Sequence, residues 1–146
     1  MAKDLYTAEA RVTGGRVAGH GRTSDGALEV DLRTPIEMGG EGGGTNPEQL
    51  FAVGYAACFE SALGAVARRR KIDPGDVEVD SKVKLTTGEN RSFTIAAELH
   101  VTLPSVEGDD AVDLVRAAHQ VCPYSNATRG NIEVLLTANG TAVDVS

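Results

Sequence analysis

One segment, Leu50 to Ala67, limits the folds open to this chain more than any other. Of its 18 residues only Glu60 and Ser61 are clearly polar, and two glycines and six alanines keep its surface small. A run of this length touches the threshold for crossing a bilayer. The central glutamate and the many small residues make it a poor span, so the expected alternative is a helix buried on every side. Asn46 is placed to cap that helix, Pro47 suits its first position, and Gln49 completes a capping-box spacing. Arg68-Arg69-Arg70-Lys71 complement the negative end of the helix dipole, and Asp73-Pro74-Gly75 stops the helix. A chain of 146 residues, one domain (1–146) by length, has difficulty surrounding such a helix by itself. Burial between two subunits is the economical solution, and a homodimer is expected.

Strand patterns flank this helix. Leu28, Val30 and Leu32 alternate with Glu29, Asp31 and Arg33, the period-2 signature of a strand with one buried face. An earlier strand is expected through Leu5–Val12, then a loop at Gly14-Gly15-Arg16; Ser24-Asp25-Gly26 reads as a turn. After the helix, Val77, Val79, Val83 and Leu85 share one face, and Phe93, Ile95, Ala97, Leu99, Val101 and Leu103 repeat the alternation beyond a turn at Thr87–Asn90. A second helix is expected from Asp109 or Asp110, with Ala111, Val112, Val115 and Ala118 at helical spacing and Pro123 limiting its end. Ile132–Leu136 reads as a last strand, with a hairpin turn at Asn139-Gly140 before Ala142–Val145. The order β, α, β, α, β with hairpins predicts an α+β fold with antiparallel sheets.

Composition narrows the function classes. A net charge of −7 argues against nucleic acid and against an anionic membrane surface. The glycine-rich stretch 39–44 lacks the Lys-Ser/Thr of a phosphate loop and carries Glu41, which would repel phosphate. It is expected to be a flexible lead into the helix. Met1 to Tyr6 shows no apolar signal region, and two cysteines are too few for a secreted disulfide scaffold. A reducing, cytoplasmic setting is therefore expected.

Cys58, mid-way along the apolar helix, and Cys122, at the end of the second, are each open to two readings: an inert core residue, or half of a working pair. A reactive thiol needs positive charge nearby. Arg68 lies too far along the helix, which leaves Arg16 or Arg22 as the cation and Glu48 or Glu60 as the carboxylate that orients it. A helix C-terminus disfavours thiolate at Cys122, so Cys58 is the better nucleophile. His119 and Cys122 have a spacing compatible with a shared metal, or with a Cys58–His119 dyad, but no supporting motif accompanies either. No cofactor or metal is expected. His20 and His100 read as loop and strand-surface residues, and the Asn126 and Asn139 glycosylation patterns as chance.

Longer motifs then carry a family likeness. Thr45-Asn46-Pro47-Glu48-Gln49-Leu50-Phe51-Ala52 with Gly54-Tyr55-Ala56-Ala57-Cys58-Phe59, and Ala118-His119-Gln120-Val121-Cys122-Pro123-Tyr124-Ser125-Asn126-Ala127-Thr128-Arg129-Gly130-Asn131-Ile132, resemble the two cysteine motifs of the organic hydroperoxide resistance (Ohr/OsmC) family. Gly14-Gly15-Arg16 and Ser24-Asp25-Gly26 also match, and the second motif favours the Ohr branch. The resemblance implies an intertwined homodimer with sheets wrapped around the central helix and active sites at the interface. It implies a thiol peroxidase for organic, including fatty-acid, hydroperoxides, reduced by lipoylated proteins or other dithiols. Cys58 matches the peroxidatic cysteine, Cys122 the resolving one, Arg16 the thiolate-stabilising arginine and Glu48 its partner. The hairpin near Gly88–Arg91 and the tail after Leu136 depart from the family pattern. If Glu48 and Cys58 share a site through Arg16, the ten positions between them, about 15 Å of straight helix, predict a break near Gly54 or a long reach by Arg16. The rival reading is a non-catalytic dimer whose disulfide is structural or a redox sensor.

Overall fold

A computed structural model describes residues 2–145. They form two compact units, one up to Leu50 and one from Phe51 onward.

The N-terminal unit is a three-stranded antiparallel meander of β1 (Ala10–Thr13), β2 (Ala18–Thr23) and β3 (Glu29–Arg33). β1 is shorter than the strand expected over Leu5–Val12. β2, unannounced by any apolar alternation, pairs Gly21 with Val12 on one side and Val30 on the other. The turn between β1 and β2 is tight because glycines stand where the backbone closes on itself: Gly14 sits at φ 77, and a Cβ on Gly19, at the start of β2, would collide with the Gly15 carbonyl. That turn projects Arg16. β3 in turn anchors the start of the long helix, since Arg33 N–H donates to the Thr45 carbonyl and Thr45 N–H to that of Asp31, both at 2.9 Å.

Helix α1 runs without interruption over Pro47–Arg69. Asn46 caps it as expected, accepting the Gln49 amide at 2.8 Å. The reciprocal half of a capping box is replaced by a Thr45 hydroxyl donating to Gln49 Oε1 at 2.8 Å. The helix closes where Lys71 enters the left-handed region (φ 56) and Ile72 N–H turns back to the Ala67 carbonyl. The break expected near Gly54 is absent. Gly54 serves packing instead: a Cβ there would lie 2.7 Å from the Tyr124 hydroxyl. Within a single chain the enclosure is one-sided, and the expected burial between two subunits concerns the other side. Tyr55, Phe59, Ala62, Leu63, Val66 and Ala67 form a buried stripe, while Val53, Ala57, Glu60 and Ser61 form an exposed one. By length and composition alone α1 could cross a bilayer, yet its buried stripe is the spine of the second unit's core.

In that unit β4 (Glu78–Thr87) and β5 (Phe93–Thr102) make the expected antiparallel hairpin. Helix α2 (Gly108–Val121) and a six-residue helix α3 (Pro123–Thr128) follow, then β6 (Val134–Ala138) and β7 (Thr141–Val143). β6 pairs with β5 in parallel, Leu99 opposite Leu136 and Val101 opposite Ala138, so the sheet is mixed rather than antiparallel throughout. Parallel neighbours need a crossover, and α2–α3 supplies it. β6 and β7 close through Asn139-Gly140, both at positive φ, 49° and 85°. Asn139 also donates to the Leu103 and Val106 carbonyls and accepts the Leu103 amide at 2.7 Å, fixing the tail where the family pattern was left. The fold is thus α+β, with two sheets and a central helix. Leu63, Leu99, Leu114 and Val115 are fully buried at its core, each such side chain stabilising by about 1.5–3 kcal/mol.

Candidate active site

Of the two cations considered, the structure pairs Arg16 with a carboxylate. Its Nη2 and Nη1 donate to Glu48 Oε1 and Oε2 at 2.9 and 3.1 Å, a bidentate fork. Arg22 instead donates to the Thr23 carbonyl, and Glu60 is exposed on α1. Glu48 occupies the first turn of α1, where the helix dipole favours an anion. Its hydrogen bond with Arg16 holds the Glu48 carboxyl below its usual range and raises the guanidinium further. The outcome is a cation that stays charged and is aimed by a partly buried acid.

The two cysteines meet in the other unit. Cys58 is half-buried on α1 and Cys122 fully buried, both as free thiols. Burial pushes the Cys58 thiol up; the Tyr124 backbone N–H pulls it down, and the neighbouring Cys122 raises it further. The net effect is a Cys58 thiol held above its ordinary range. It needs added positive charge before it becomes a nucleophile at neutral pH.

Cys122 sits where α2 ends and α3 begins. Its N–H donates to the Ala118 carbonyl at 2.9 Å, closing α2, and its Sγ accepts the Ser125 N–H at 3.5 Å, capping α3. The expectation that Cys122 lies only at a negative helix end is therefore incomplete, because Pro123, read as a stop, is also the first residue of a new helix. Tyr55, one turn before Cys58, reaches the same place. Its buried hydroxyl bonds Ser125 Oγ at 2.8 Å and Thr128 Oγ1 at 3.1 Å. Phe51, Tyr55 and Tyr124 stand edge to face or tilted at 5.7–6.0 Å, an apolar surround for the thiols.

His119 joins neither thiol by a hydrogen bond. It is buried, both ring nitrogens lack a partner among the described residues, and burial with the nearby Arg129 keeps it neutral. No group of three His, Cys, Asp or Glu side chains among the described residues is arranged to hold a metal. His20, expected in a loop, is on β2 between Asp31 (2.9 Å) and Glu29 (2.8 Å), which raise its pKa. His100 is at the strand surface as expected, bonded to Thr137 and Glu98.

Residues 40–137 match the family of OsmC-like proteins. The chain belongs to the OsmC-like family. It is 54% identical over 137 residues to the organic hydroperoxide resistance protein of Xanthomonas axonopodis pv. citri, covering 92% of this chain and 95% of that one. Among solved structures, an organic hydroperoxide resistance protein OsmC from Legionella pneumophila superposes with a TM-score of 0.88 at 51% identity, covering 92% of this chain and 97% of that one. OhrB of Bacillus subtilis follows at 0.83 and 45%, over 91% and 98% of the two chains. The resemblance read from the cysteine motifs is borne out, and this OsmC-like chain falls with the organic hydroperoxide resistance proteins. The roles of Tyr55, Ser125 and Thr128 in this OsmC-like chain escaped the sequence reading. The one local signal was Cys122-Pro123 as a cap followed by a first helical proline.

Proposed function

We propose that the chain is a thiol peroxidase that detoxifies organic hydroperoxides, fatty-acid hydroperoxides among them, in the cytoplasm. The observation that carries this reading is the adjacency of a half-buried Cys58 and a buried Cys122 inside an apolar, aromatic surround. Relatives named for organic hydroperoxide resistance support the substrate class.

Cys58 thiolate attacks the peroxide oxygen distal to the organic group. The S–O bond forms as the O–O bond breaks, and the departing alkoxide takes a proton to leave as alcohol. To Arg16, oriented by Glu48, we assign the charge that stabilises the thiolate and the developing alkoxide; arginine suits this because it stays charged when desolvated. Cys122 then condenses with the Cys58 sulfenic acid, and a dithiol such as a lipoylated protein reduces the disulfide by exchange. We further propose a homodimer as the working form.

The test is turnover of tert-butyl or fatty-acid hydroperoxide with dihydrolipoamide. Wild type should turn over and Cys58→Ser should fall to the uncatalysed rate. Cys122→Ser should reduce one equivalent and then stall as sulfenic acid. Equal rates in wild type and Cys58→Ser, with the disulfide still forming in the wild type, would favour the structural or sensing reading instead.

A further inference from the structure

We propose that Tyr55 is a positioning residue for the second chemical step: its hydroxyl fixes α3 against α1 in the register that sets Cys122 beside Cys58. The inference rests on the peroxidase reading and concerns a residue that reading leaves unused.

Helical spacing creates the juxtaposition. Tyr55 and Cys58 are three apart on α1, so they share a face one turn from each other. Cys122, Ser125 and Thr128 are likewise spaced by three along α3 and its cap. The Tyr55–Ser125 bond therefore lies one turn from the Cys58–Cys122 contact, and the two helices meet at both points. A disulfide tolerates little error, since its Cβ atoms must approach within about 3.5–4.5 Å. A helix of six residues cannot hold such a register by its own hydrogen bonds.

The hydroxyls form a circuit. Thr128 Oγ1 donates to the Ser125 carbonyl at 3.3 Å, and with that bond made, Tyr55 Oη donating to Thr128 Oγ1 and Ser125 Oγ donating to Tyr55 Oη is the arrangement that gives every proton an acceptor. All three residues are buried, Tyr55 and Ser125 completely. Hydroxyls so placed cost stability unless mutually satisfied, and a satisfied set selects one arrangement. A phenylalanine would fill the same core volume, so filling space does not account for the hydroxyl. Ser125 links the circuit to the sulfur, because its own N–H points to Cys122 Sγ. Arg129 adds a brace from the other side, donating to the His119 carbonyl at 2.9 Å.

The step affected is condensation. The Cys122 sulfur displaces hydroxide from the Cys58 sulfenic acid; the S–S bond forms, the S–O bond breaks, and the Cys122 proton leaves with the hydroxide as water. No further oxidant is needed. Attack of Cys58 on the peroxide forms no bond to Cys122, and a looser Cys122 would only relieve its upward push on the Cys58 thiol, so that step should not slow.

The experiment is single-turnover rapid-quench of the reduced full-length chain with tert-butyl hydroperoxide, scoring Cys58 sulfenic acid by dimedone and the disulfide by intact mass. In Tyr55→Phe, sulfenic acid should form at the wild-type rate while disulfide formation slows about tenfold, the size expected for one lost buried hydrogen bond. Ser125→Ala should stall the same step, and Ser125→Thr, which keeps the hydroxyl, should restore it. Wild-type resolution in both Tyr55→Phe and Ser125→Ala, or equal slowing of both steps, would overturn the proposal and leave the peroxidase reading standing. A wild-type chain that neither consumes hydroperoxide nor modifies Cys58 would overturn the peroxidase reading itself.

Discussion

The two units of the chain are built on opposite principles. From Phe51 onward a continuous core joins α1, α2 and the mixed sheet, with Phe59, Leu63, Leu99 and Leu114 wholly buried. Up to Leu50, Leu32 is the one buried hydrophobic side chain among the described residues, while Val12, Val17, Ile36 and Met38 are more than half exposed. The first unit is held instead by strand pairing and by charged side-chain bonds, Arg16–Glu48 and His20 between Asp31 and Glu29. Thiols that must meet in one geometry sit in the unit with the continuous apolar core. The charge assigned to activate them sits in the polar one. That unit nevertheless leaves Val12, Val17, Ile36 and Met38 exposed, and exposed apolar side chains are the candidates for the contact of the proposed homodimer.

Leu114→Ala should test the contrast most severely. Deleting a wholly buried leucine should cost about 2–5 kcal/mol in urea unfolding, whereas Val12→Ala should stay within about 0.5 kcal/mol at concentrations where the chain is monomeric. Equal losses would erase the distinction between the units. Arg16→Ala comes next. It should lower stability by no more than about 1 kcal/mol, the range of a partly exposed ion pair, slow sulfenic acid formation by about 10²–10³-fold, and raise the pH at which Cys58 becomes alkylatable. If Arg22→Ala is the slow variant instead, the charge has been assigned to the wrong residue.

A smaller effect is expected from Val12→Ser, Val17→Ser and Ile36→Ser combined. Sedimentation should show dimer affinity weakened about tenfold or more, the equivalent of roughly 1.4 kcal/mol, with the core's circular dichroism unchanged. An unaltered dimer would mean that these residues do not form the association surface.

The smallest effect is pH-dependent and confined to the first unit. Asp31 and Glu29 raise the His20 pKa, so its contribution is complete below the ordinary histidine value of about 6.5 and is lost as pH rises through the higher folded value. Arg16 lowers the Glu48 pKa, so that pair contributes above the ordinary glutamate value of about 4.3 and is lost as pH falls through the lower one. Amide exchange in β2 and β3, corrected for intrinsic rates, should therefore be slowest at mildly acidic pH. His20→Asn should remove the alkaline limb, and a limb that survives would assign it elsewhere.

What could be read from the residues follows from how local each signal is. β4 and β5 alternate Val or Leu with Lys, Glu and Asp, so their faces are legible one strand at a time. The start of α1 is legible because Asn46-Pro47 carries its own capping chemistry. β2 was invisible because its inward positions are Gly19 and Gly21, which leave no apolar side chains to alternate. α3 was hidden because a proline that ends one helix can also begin the next. The parallel β5–β6 pairing depends on where α2 and α3 return the chain, which no window of residues records. At the site, the motifs named Cys58, Cys122, Arg16 and Glu48, but not which atoms meet. The bond from Arg16 to Glu48 crosses 32 positions, and the grip of Tyr55 on Ser125 crosses 70. The expected break at Gly54 came from requiring Glu48 and Cys58 to share one site along a single helix. A helical glycine costs only about 1 kcal/mol, and here it makes room for Tyr124.

The central claim is that Cys58 and Cys122 are a redox pair spent on organic hydroperoxide. Its most direct test is intact-mass and peptide mapping of the reduced chain after one equivalent of a fatty-acid hydroperoxide. The account predicts one equivalent of the corresponding alcohol and a chain lighter by two hydrogens, with the new bond between Cys58 and Cys122. Recovery of the hydroperoxide unchanged, with both thiols still open to alkylation, would contradict it.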